Sequence, residues 1–394
     1  MGTKVKLNDL EIWYEDYGDK NNETVLLIMG ANANCKQWDQ LFIDRLVEEN
    51  FHVVRFDNRD VGKSTWFGKE PLINKFLKFL PNPILKMLVN SLFGLAIDAE
   101  GKFKFSQSNA VQYDLSDMAK DAVALLEHLK IEKAHIIGAS MGGMITQIIA
   151  LDYPEKVLSI TPIMTTPGIQ NKNLSGPTNE LLDAMQKSFV FNLKGKIEDG
   201  VVEIYRQLTG SRFPFDENEF RERLKPIIEH GNNPFAQHGA AVGASPDRTS
   251  RLHEIKAPTL VIHGTEDAIL PLDHGLALAE GIKDSNKMIM EGVGHEIPEQ
   301  LLPEIIQEIL KNFGVKIQNG FVAETPKDAK KLAAKLSKEK SNVTVLKAQI
   351  HAGGRGKGII KETGSNGVVI SMSLDDCLLY TSDAADERSS VDLG

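Results

Sequence analysis

The chain has 394 residues, more than one ordinary domain needs, with 54 Asp and Glu against 45 Lys and Arg and 42% hydrophobic residues. The acidic balance without a clustered basic face excludes a nucleic-acid footprint, and no apolar run reaches the ~18 residues of a membrane span. Cys35 and Cys377 lie too far apart to suggest a disulfide framework, and Met1-Gly2-Thr3-Lys4-Val5-Lys6 leads into a strand-like pattern without an apolar signal core, so a reducing, cytoplasmic setting is expected.

Residues 3–17 read as an initial hairpin. A strand over about 24–30 ends in Ile28-Met29-Gly30-Ala31-Asn32, where the glycine lets the backbone turn close to a substrate. A helix over 37–48 and a strand over 51–57 follow. The next residues are Asp57-Asn58-Arg59-Asp60, whose first acid reads as structural, paired with Arg59 or capping a loop. Residues 66–110 form an insertion. Within it Leu72, Ile73, Phe76, Leu77 and Leu80 repeat at helical spacing, Pro81 and Pro83 interrupt, and Ile84, Leu85, Leu88, Val89, Leu92 and Phe93 resume, with Lys75, Lys78 and Lys86 interspersed. Such a stretch is either an interfacial helix pair for lipid-like substrates or a helical lid packing its stripe on the core. The interruption by two prolines favours the lid.

A helix over 116–129 leads to the short apolar strand Ala134-His135-Ile136-Ile137, then Gly138-Ala139-Ser140-Met141-Gly142, then a helix over 142–152. Strand, G-x-S-x-G and helix form a nucleophile elbow: the serine sits on a strained turn with its hydroxyl exposed. Side chains at Gly138 or Gly142 would collide with the neighbouring strand or helix. After a strand over 157–163, residues 171–250 break the alternation with helical patterns, which places a cap there. Phe189, Phe191, Tyr205, Phe213 and Phe215 are candidates for an acyl pocket or for the cap's own core.

The strand over 259–264 runs into Thr265-Glu266-Asp267, and the strand over 286–291 into Gly292-Val293-Gly294-His295, before a last helix over 299–312. The order Ser…Asp…His is that of α/β-hydrolases. Each of the three lies at the C-terminal end of a predicted strand, the edge where sites assemble in an open parallel sheet. Glu266 is the rival acid, but the loop phase favours Asp267. His274, in Pro271-Leu272-Asp273-His274-Gly275, reads as an exposed first-turn residue, whereas His295 is free to swing on its glycine-flanked loop. The main-chain N–H groups of Ala31 and Met141 are the expected oxyanion donors. Asn32 and Asn34 either add side-chain donors or are ordinary loop residues, and Cys35 reads as a small buried residue. Strands alternating with helices predict an α/β fold, a mostly parallel sheet with helices on both faces and a helical cap.

Residues 5 to about 306 resemble the α/β-hydrolase superfamily, and within it the bacterial aclacinomycin methylesterase group. The resemblance rests on Trp13-Tyr14-Glu15-Asp16-Tyr17-Gly18, Ile28-Met29-Gly30, Arg55 to Ser64, Gly138 to Gly142, Ser211-Arg212-Phe213-Pro214-Phe215 and Gly292 to His295. It implies a serine esterase acting on a methyl ester, with Ser140 as nucleophile, Asp267 as acid, His295 as base and Ala31 and Met141 as the oxyanion hole, without metal or cofactor. The family's bulky polycyclic substrate does not carry over, because residues 66–110 are longer and more apolar here. Serine at the elbow, in place of the aspartate of haloalkane dehalogenases and epoxide hydrolases, implies an acyl-enzyme. Hydrolysis of a small-molecule carboxylic ester is therefore the leading expectation. Lactone and carbon–carbon bond hydrolysis use the same triad, and a non-catalytic ligand receptor is the alternative of another class.

The sequence changes character near residue 308. Gly320 to Pro326, a Lys/Ala-rich helix over 327–339, Val343 to Gln349 and His351 to Gly358 resemble the N-terminus of the succinyl-CoA synthetase β subunit, an ATP-grasp protein. By that resemblance Lys347 and the loop Gly354, Arg355 and Gly356 would contact nucleotide phosphates. Only residues 308–376 carry it, without the Mg²⁺ ligands, so nucleotide binding or a ligase activity is not expected. Residues 377–394, beginning Cys377-Leu378-Leu379-Tyr380-Thr381-Ser382-Asp383, look like a translated sequencing adapter. The expected organisation is a hydrolase over 1–307, a truncated ATP-grasp fragment over 308–376 and an extraneous tail.

Overall fold

The protein is described from a computed structural model, which covers residues 2–96, 112–315, 344–347 and 368–371. Two compact units divide at residue 315. In the first, eight strands form one sheet in the order β1-β2-β4-β3-β5-β6-β7-β8. The strands are β1 Thr3–Leu7, β2 Leu10–Tyr17, β3 Thr24–Ile28, β4 His52–Phe56, β5 Ala134–Ala139, β6 Val157–Ile163, β7 Leu260–Gly264 and β8 Asn286–Met290. The β1–β2 and β2–β4 pairings are antiparallel and all later ones parallel. Strands β3, β4 and β5 are buried along their whole length, their His52, Arg55 and His135 included, as a sheet covered on both faces requires.

Eleven helices accompany these strands among the described residues. They are α1 Gln40–Glu48, α2 Leu72–Leu77, α3 Asn82–Ala96, α4 Leu115–His128, α5 Met141–Asp152, α6 Asn179–Leu193, α7 Ile197–Leu208, α8 Glu217–His230, α9 His238–Ala244, α10 Leu272–Gly281 and α11 Leu302–Asn312. Asp114 starts α4 through a reciprocal capping box with Asp117, which satisfies N–H groups a helix start leaves unpaired. Leu26, Ile28, Val54, Phe56, Ile136 and Val261 share one core with residues of α4, α5 and α10. Helices α1 and α11 lie against each other, α1 also against β4 and α11 against β7.

The chain runs from β3 outward to β4 and then back across to β5, so the strand order reverses between β3 and β5. Ligands of open α/β sheets bind at such a reversal, beyond the carboxyl ends of the strands. The register pairs Ile28 with Gly138, so Met29-Gly30 and Ala139-Ser140 leave the sheet side by side.

The compact unit extends past the expected boundary at 307. The apolar stripe of α11 continues from Leu302, Ile305 and Ile306 through Ile309 and Leu310, all buried, and Asn312 donates to Ile160 O. Phe313 then stacks on His135 with ring centroids 3.8 Å apart and meets Phe51 edge-on. Whatever their origin, residues 308–315 finish the first unit, because they present apolar groups where the sheet needs cover.

The insertion after β4 packs only half as expected. Leu85 and Val89 of α3 are buried against Val190 and Leu193 of α6, with Leu77, Leu80 and Phe93 beside them. The stripe therefore seats on a helix within the 171–250 segment, and much of the insertion's remaining apolar surface is exposed.

In the second unit, β9 Thr344–Lys347 and β10 Val368–Ser371 pair antiparallel, with Lys347 opposite Val368. Gly354, Arg355 and Gly356 lie outside the described residues.

A chain ending at Val315 should keep the melting temperature of the full chain's first unit. A chain ending at Gln307 loses Ile309, Leu310 and Phe313, and should be destabilised by roughly 4 kcal/mol or more, since removing one buried aliphatic side chain costs about 2–5 kcal/mol. Differential scanning calorimetry of the two truncations checks this, and equal melting temperatures would return the boundary to 307.

Candidate active site

Ser140 has φ 54° and ψ −119°, a left-handed conformation that an L side chain adopts only under constraint. Its N–H donates to Ile163 O at 2.9 Å, and its carbonyl accepts from Gly143 N, Met144 N and, at 2.6 Å, Thr165 Oγ1. The hydroxyl does not cap α5. The two motif glycines have no room for a side chain. A Cβ at Gly138 would lie 2.3 Å from Gly142 O, and one at Gly142 would lie 2.0 Å from Ile28 O. The expected collisions are thus with α5 and with β3.

The loop after β3 lies against the serine: a Cβ at Gly30 would be 3.1 Å from Ser140 Cβ and 3.3 Å from Ala139 O. Among the described residues, the N–H groups of Ala31 and Met141 have no hydrogen-bond partner. The loop is held from outside by His238, the first residue of α9. Asn32 N–H donates to His238 Nδ1 at 2.8 Å, and His238 Nε2 lies 2.7 Å from Arg59 O. A carbonyl can only accept, so the proton is on Nε2 and the ring is neutral. Burial of this fully enclosed imidazole holds its pKa below the usual value, outweighing the bond to Arg59 O that acts in the other direction.

Asp267 and His295 meet across the ends of β7 and β8. His295 Nδ1 lies 2.6 Å from Asp267 Oδ2, while Asp267 Oδ1 accepts from Ile269 N at 3.0 Å and Leu270 N at 2.8 Å. Burial pushes the Asp267 carboxyl up, but His295 and these amides outweigh it and hold the pKa below the ordinary aspartate value. His263 lies next to the pair, its Nε2 3.5 Å from Asp267 Oδ2 and 2.7 Å from Leu270 O. The backbone of His295 is fixed as well: its N–H donates to Leu208 O at 2.7 Å, and a Cβ at Gly294 would lie 2.0 Å from that same oxygen. The Gly-x-Gly-His spacing answers to the end of α7.

Several sequence expectations change. His274 opens α10 as expected but is buried, bonding Thr166 Oγ1 and Ser175 O at 2.8 Å each. It reads as exposed in sequence because the partners that cover it come from residues about a hundred positions earlier. Asp57 does not pair with Arg59. It accepts from Cys35 N, Lys63 N and His230 Nε2, while Arg59 pairs with Asp121. Asn34 spends its side-chain donors on Ile227 O and Gly231 O and gives none to the site. Glu266 is exposed and accepts from Ser211. Of the cap aromatics, Tyr205 and Phe215 pack with Phe220 in the cap's own core, and Phe189 faces Phe93 of α3. Cys35 is buried as expected. The ligand atoms of Cys35, Asp57 and His230 lie within 4.8 Å of one another, but the Asp57 oxygens already take three N–H donors, so the group holds loops together rather than offering open metal positions. His238 sits on no recognisable motif, and His263, although in the strand that leads to Asp267, carries no signal of its own.

The sequence profile of the alpha/beta hydrolase fold matches residues 23–300. The chain belongs to that family. A second profile, the ATP-grasp domain, matches residues 305–384, which makes the chain chimeric and carries the ligase likeness into the stretch beginning at Cys377. Among curated relatives, the rhodomycin D methylesterase of Streptomyces peucetius is 26% identical over 321 residues, 76% of this chain and 93% of that protein. A 2-hydroxy-6-oxononadienedioate/2-hydroxy-6-oxononatrienedioate hydrolase of Pseudomonas putida is 28% identical over 305 residues, 73% of this chain and 86% of that protein. Among solved structures, the bromoperoxidase of Bacillus anthracis superposes with a TM-score of 0.58 at 18% identity, covering 80% of this chain and all of that one, which shows the shared fold. Among the described residues no helix is long and apolar enough to cross a membrane.

His238→Phe leaves the Asn32 N–H and the Arg59 carbonyl without their partner, at about 1–3 kcal/mol each, so urea unfolding should register a loss of roughly 2–6 kcal/mol. The pH dependence has a definite sign. The folded pKa of His238 is depressed, so its contribution is complete above the unfolded value of about 6.5 and is lost as pH falls through that value towards the folded one. His52, His135 and His263 are depressed in the same direction, each chiefly by burial. The melting temperature should fall between pH 7.5 and 5.5, and fall less in His238→Phe. An identical slope in both proteins would remove His238 from this account.

Proposed function

We propose that the chain is a serine hydrolase that cleaves a small-molecule carboxylic ester through an acyl-enzyme on Ser140. The observation that carries this reading is the 2.6 Å bond between Asp267 and His295 at the sheet edge where the strained Ser140 stands. Ser140 Oγ attacks the ester carbonyl while His295 Nε2 takes its proton, with Asp267 holding the imidazole by Nδ1. The N–H groups of Ala31 and Met141 receive the oxyanion. The intermediate collapses as His295 returns the proton to the leaving alcohol, and water then attacks the acyl-enzyme by the same relay. None of these steps calls on a metal, a cofactor or the ATP-grasp fragment, so hydrolysis resides in residues 1–315. The acidic surface and two isolated cysteines support a cytoplasmic enzyme without a nucleic-acid partner.

The relatives support two bond types. One is named a methylesterase, and another a hydrolase of an oxo-dienedioate. Ester cleavage, a methyl ester included, is the first reading, and carbon–carbon bond cleavage of a vinylogous diketone is the second, since both pass through an oxyanion beside Ser140.

Ser140→Ala should lower turnover of an activated ester by about 10⁶, the cost of removing the nucleophile or base of such a triad, with folding unchanged and labelling by a fluorophosphonate abolished. His295→Ala should match it, whereas His274→Ala should retain turnover in its folded fraction. Near wild-type hydrolysis by Ser140→Ala ends the proposal. Comparing p-nitrophenyl esters, methyl esters and a vinylogous diketone decides between the two bond types.

A further inference from the structure

The largest feature that the proposed chemistry leaves unused is the outward face of the insertion after β4. Among the described residues ten large hydrophobic side chains are exposed, and eight of them fall between Leu72 and Leu92. They include Leu72 at 74% exposure, Phe76 at 71% and Phe79 at 82%. The remaining two, Trp66 and Phe189, are next to it: Trp66 precedes α2, and Phe189 meets Phe93 of α3. Isolated exposed leucines are ordinary, but one contiguous apolar surface marks an interaction site.

The pattern of α3 explains how a helix bears such a face. Leu85, Val89 and Phe93, spaced four apart, form the stripe seated on α6. Ile84, Leu88 and Leu92, also four apart, form a second stripe with Met87 beside it, and this one is exposed. A helix with two apolar stripes satisfies one against its own protein and leaves the other for a second apolar medium. The mounting is firm, because Lys194 Nζ donates to Lys78 O and Leu80 O at 2.7 Å each and ties the turn between α2 and α3 to the end of α6.

The charges decide what that medium is. From Pro71 to Ala96 the sequence holds Lys75, Lys78 and Lys86 and no acidic residue, in a chain of net charge −9. All three lysines are exposed. Each interrupts the apolar surface and carries its ammonium on a long stem that can lie along that surface while the charge stays at its border. A second copy of the chain laid symmetrically on this face would bring lysines against lysines. An anionic membrane surface accepts both features at once, apolar side chains in the headgroup–acyl boundary and ammonium groups against lipid phosphates.

We propose that α2 and α3 form a docking surface for an anionic lipid bilayer, with Leu72, Phe76, Phe79, Met87 and Leu92 entering the interface and Lys75, Lys78 and Lys86 contacting phosphates. The insertion leaves from the carboxyl end of β4, at the sheet edge that carries Ser140, so docking sets that edge near the lipid. Docking is independent of hydrolysis and is measured without it.

The test is sedimentation of the full chain with vesicles of phosphatidylcholine alone and of phosphatidylcholine with phosphatidylglycerol, at 50 and 500 mM salt. The expected result is binding to the anionic vesicles, weakened by salt, with little binding to the neutral ones. The triple change Lys75→Glu, Lys78→Glu, Lys86→Glu should weaken it by about 10-fold or more, and Phe76→Ser with Phe79→Ser should abolish it. All five residues are exposed, so melting temperature and esterase turnover on a water-soluble ester should not change. Failure to sediment with anionic vesicles overturns the proposal. So does equal binding by the Lys→Glu variant, or a concentration-dependent dimer, abolished by Phe76→Ser with Phe79→Ser, in a protein that ignores vesicles.

Discussion

Two buried carboxylates, Asp57 and Asp60, hold the site's surroundings together. Asp60 accepts from Phe67 N and Gly68 N at the start of the insertion, from Tyr113 Oη ahead of α4, and from Asn233 Nδ2 and Gln237 N in the cap. Asp57 accepts from Cys35 N, Lys63 N and His230 Nε2. The two residues between them are used as well. Asn58 donates to Met29 O, and Arg59 forms a two-pronged pair with Asp121 while offering its carbonyl to His238. Burial alone would raise the Asp60 pKa, but the phenol and amide donors prevail and keep it lowered, while the same contact and burial raise Tyr113. An ionised carboxylate with five donors is inexpensive to bury, and removing any donor group leaves charge uncompensated. One turn after β4 thus joins the sheet, the loop beside Ser140, the insertion and the cap.

That arrangement explains which parts of the molecule were legible in the sequence. The elbow is encoded locally: strand, two glycines and helix fall within twenty residues, and Gly138 answers to Gly142 and Thr146 of the helix that follows, although Gly142 answers to Ile28 on the neighbouring β3. The strands carrying Asp267 and His295 are likewise short apolar runs ending in turns, and the Ser-Asp-His order needed no tertiary information. Asp57 shows where such reading stops. A pair with Arg59 or a loop cap is the local expectation; Asp57 does cap loops, accepting from Cys35 N and Lys63 N, but its imidazole partner His230 is 173 positions away. His238 is 206 positions from Asn32. Neither distance leaves a trace in composition or periodicity. The insertion after β4 failed to read fully for a different reason: helical periodicity reports that apolar residues share a face, and α3 has two such faces with different neighbours.

The end of α11 carries a related lesson about chimeric chains. The ATP-grasp match begins at residue 305, inside a helix whose burial belongs to the hydrolase unit. The sheet asks only for a helix with an apolar stripe in that position, and volume and polarity, rather than ancestry, decide whether a replacement packs. Ile309 and Leu310 meet that condition, and Phe313 adds a stack on His135 of β5. A family boundary drawn from sequence likeness, at 305, and a folding boundary drawn from packing, at 315, therefore differ here by about three turns of helix.

The cap is bound to the proposed machinery at both of its ends. Leu208, closing α7, fixes the amide of His295, and His238, opening α9, fixes the amide of Asn32 next to the proposed oxyanion donor Ala31. Any opening of the cap that displaces these two residues also frees the loops that follow β8 and β3. Local openings of this kind sit at the low end of a protein's stability spectrum, and their cost is set by the contacts that seat the cap. Here those contacts are polar, from His230 to Asp57 and from Asn233 and Gln237 to Asp60, and apolar, with Leu181 and Leu208 against Ala268 and Ala241 in the main core. The imidazole of His238 serves only when neutral, because Nδ1 must accept while Nε2 donates. A proton taken up at His238 replaces an acceptor with a donor facing Asn32 N–H, and the loop beside Ser140 loses that brace.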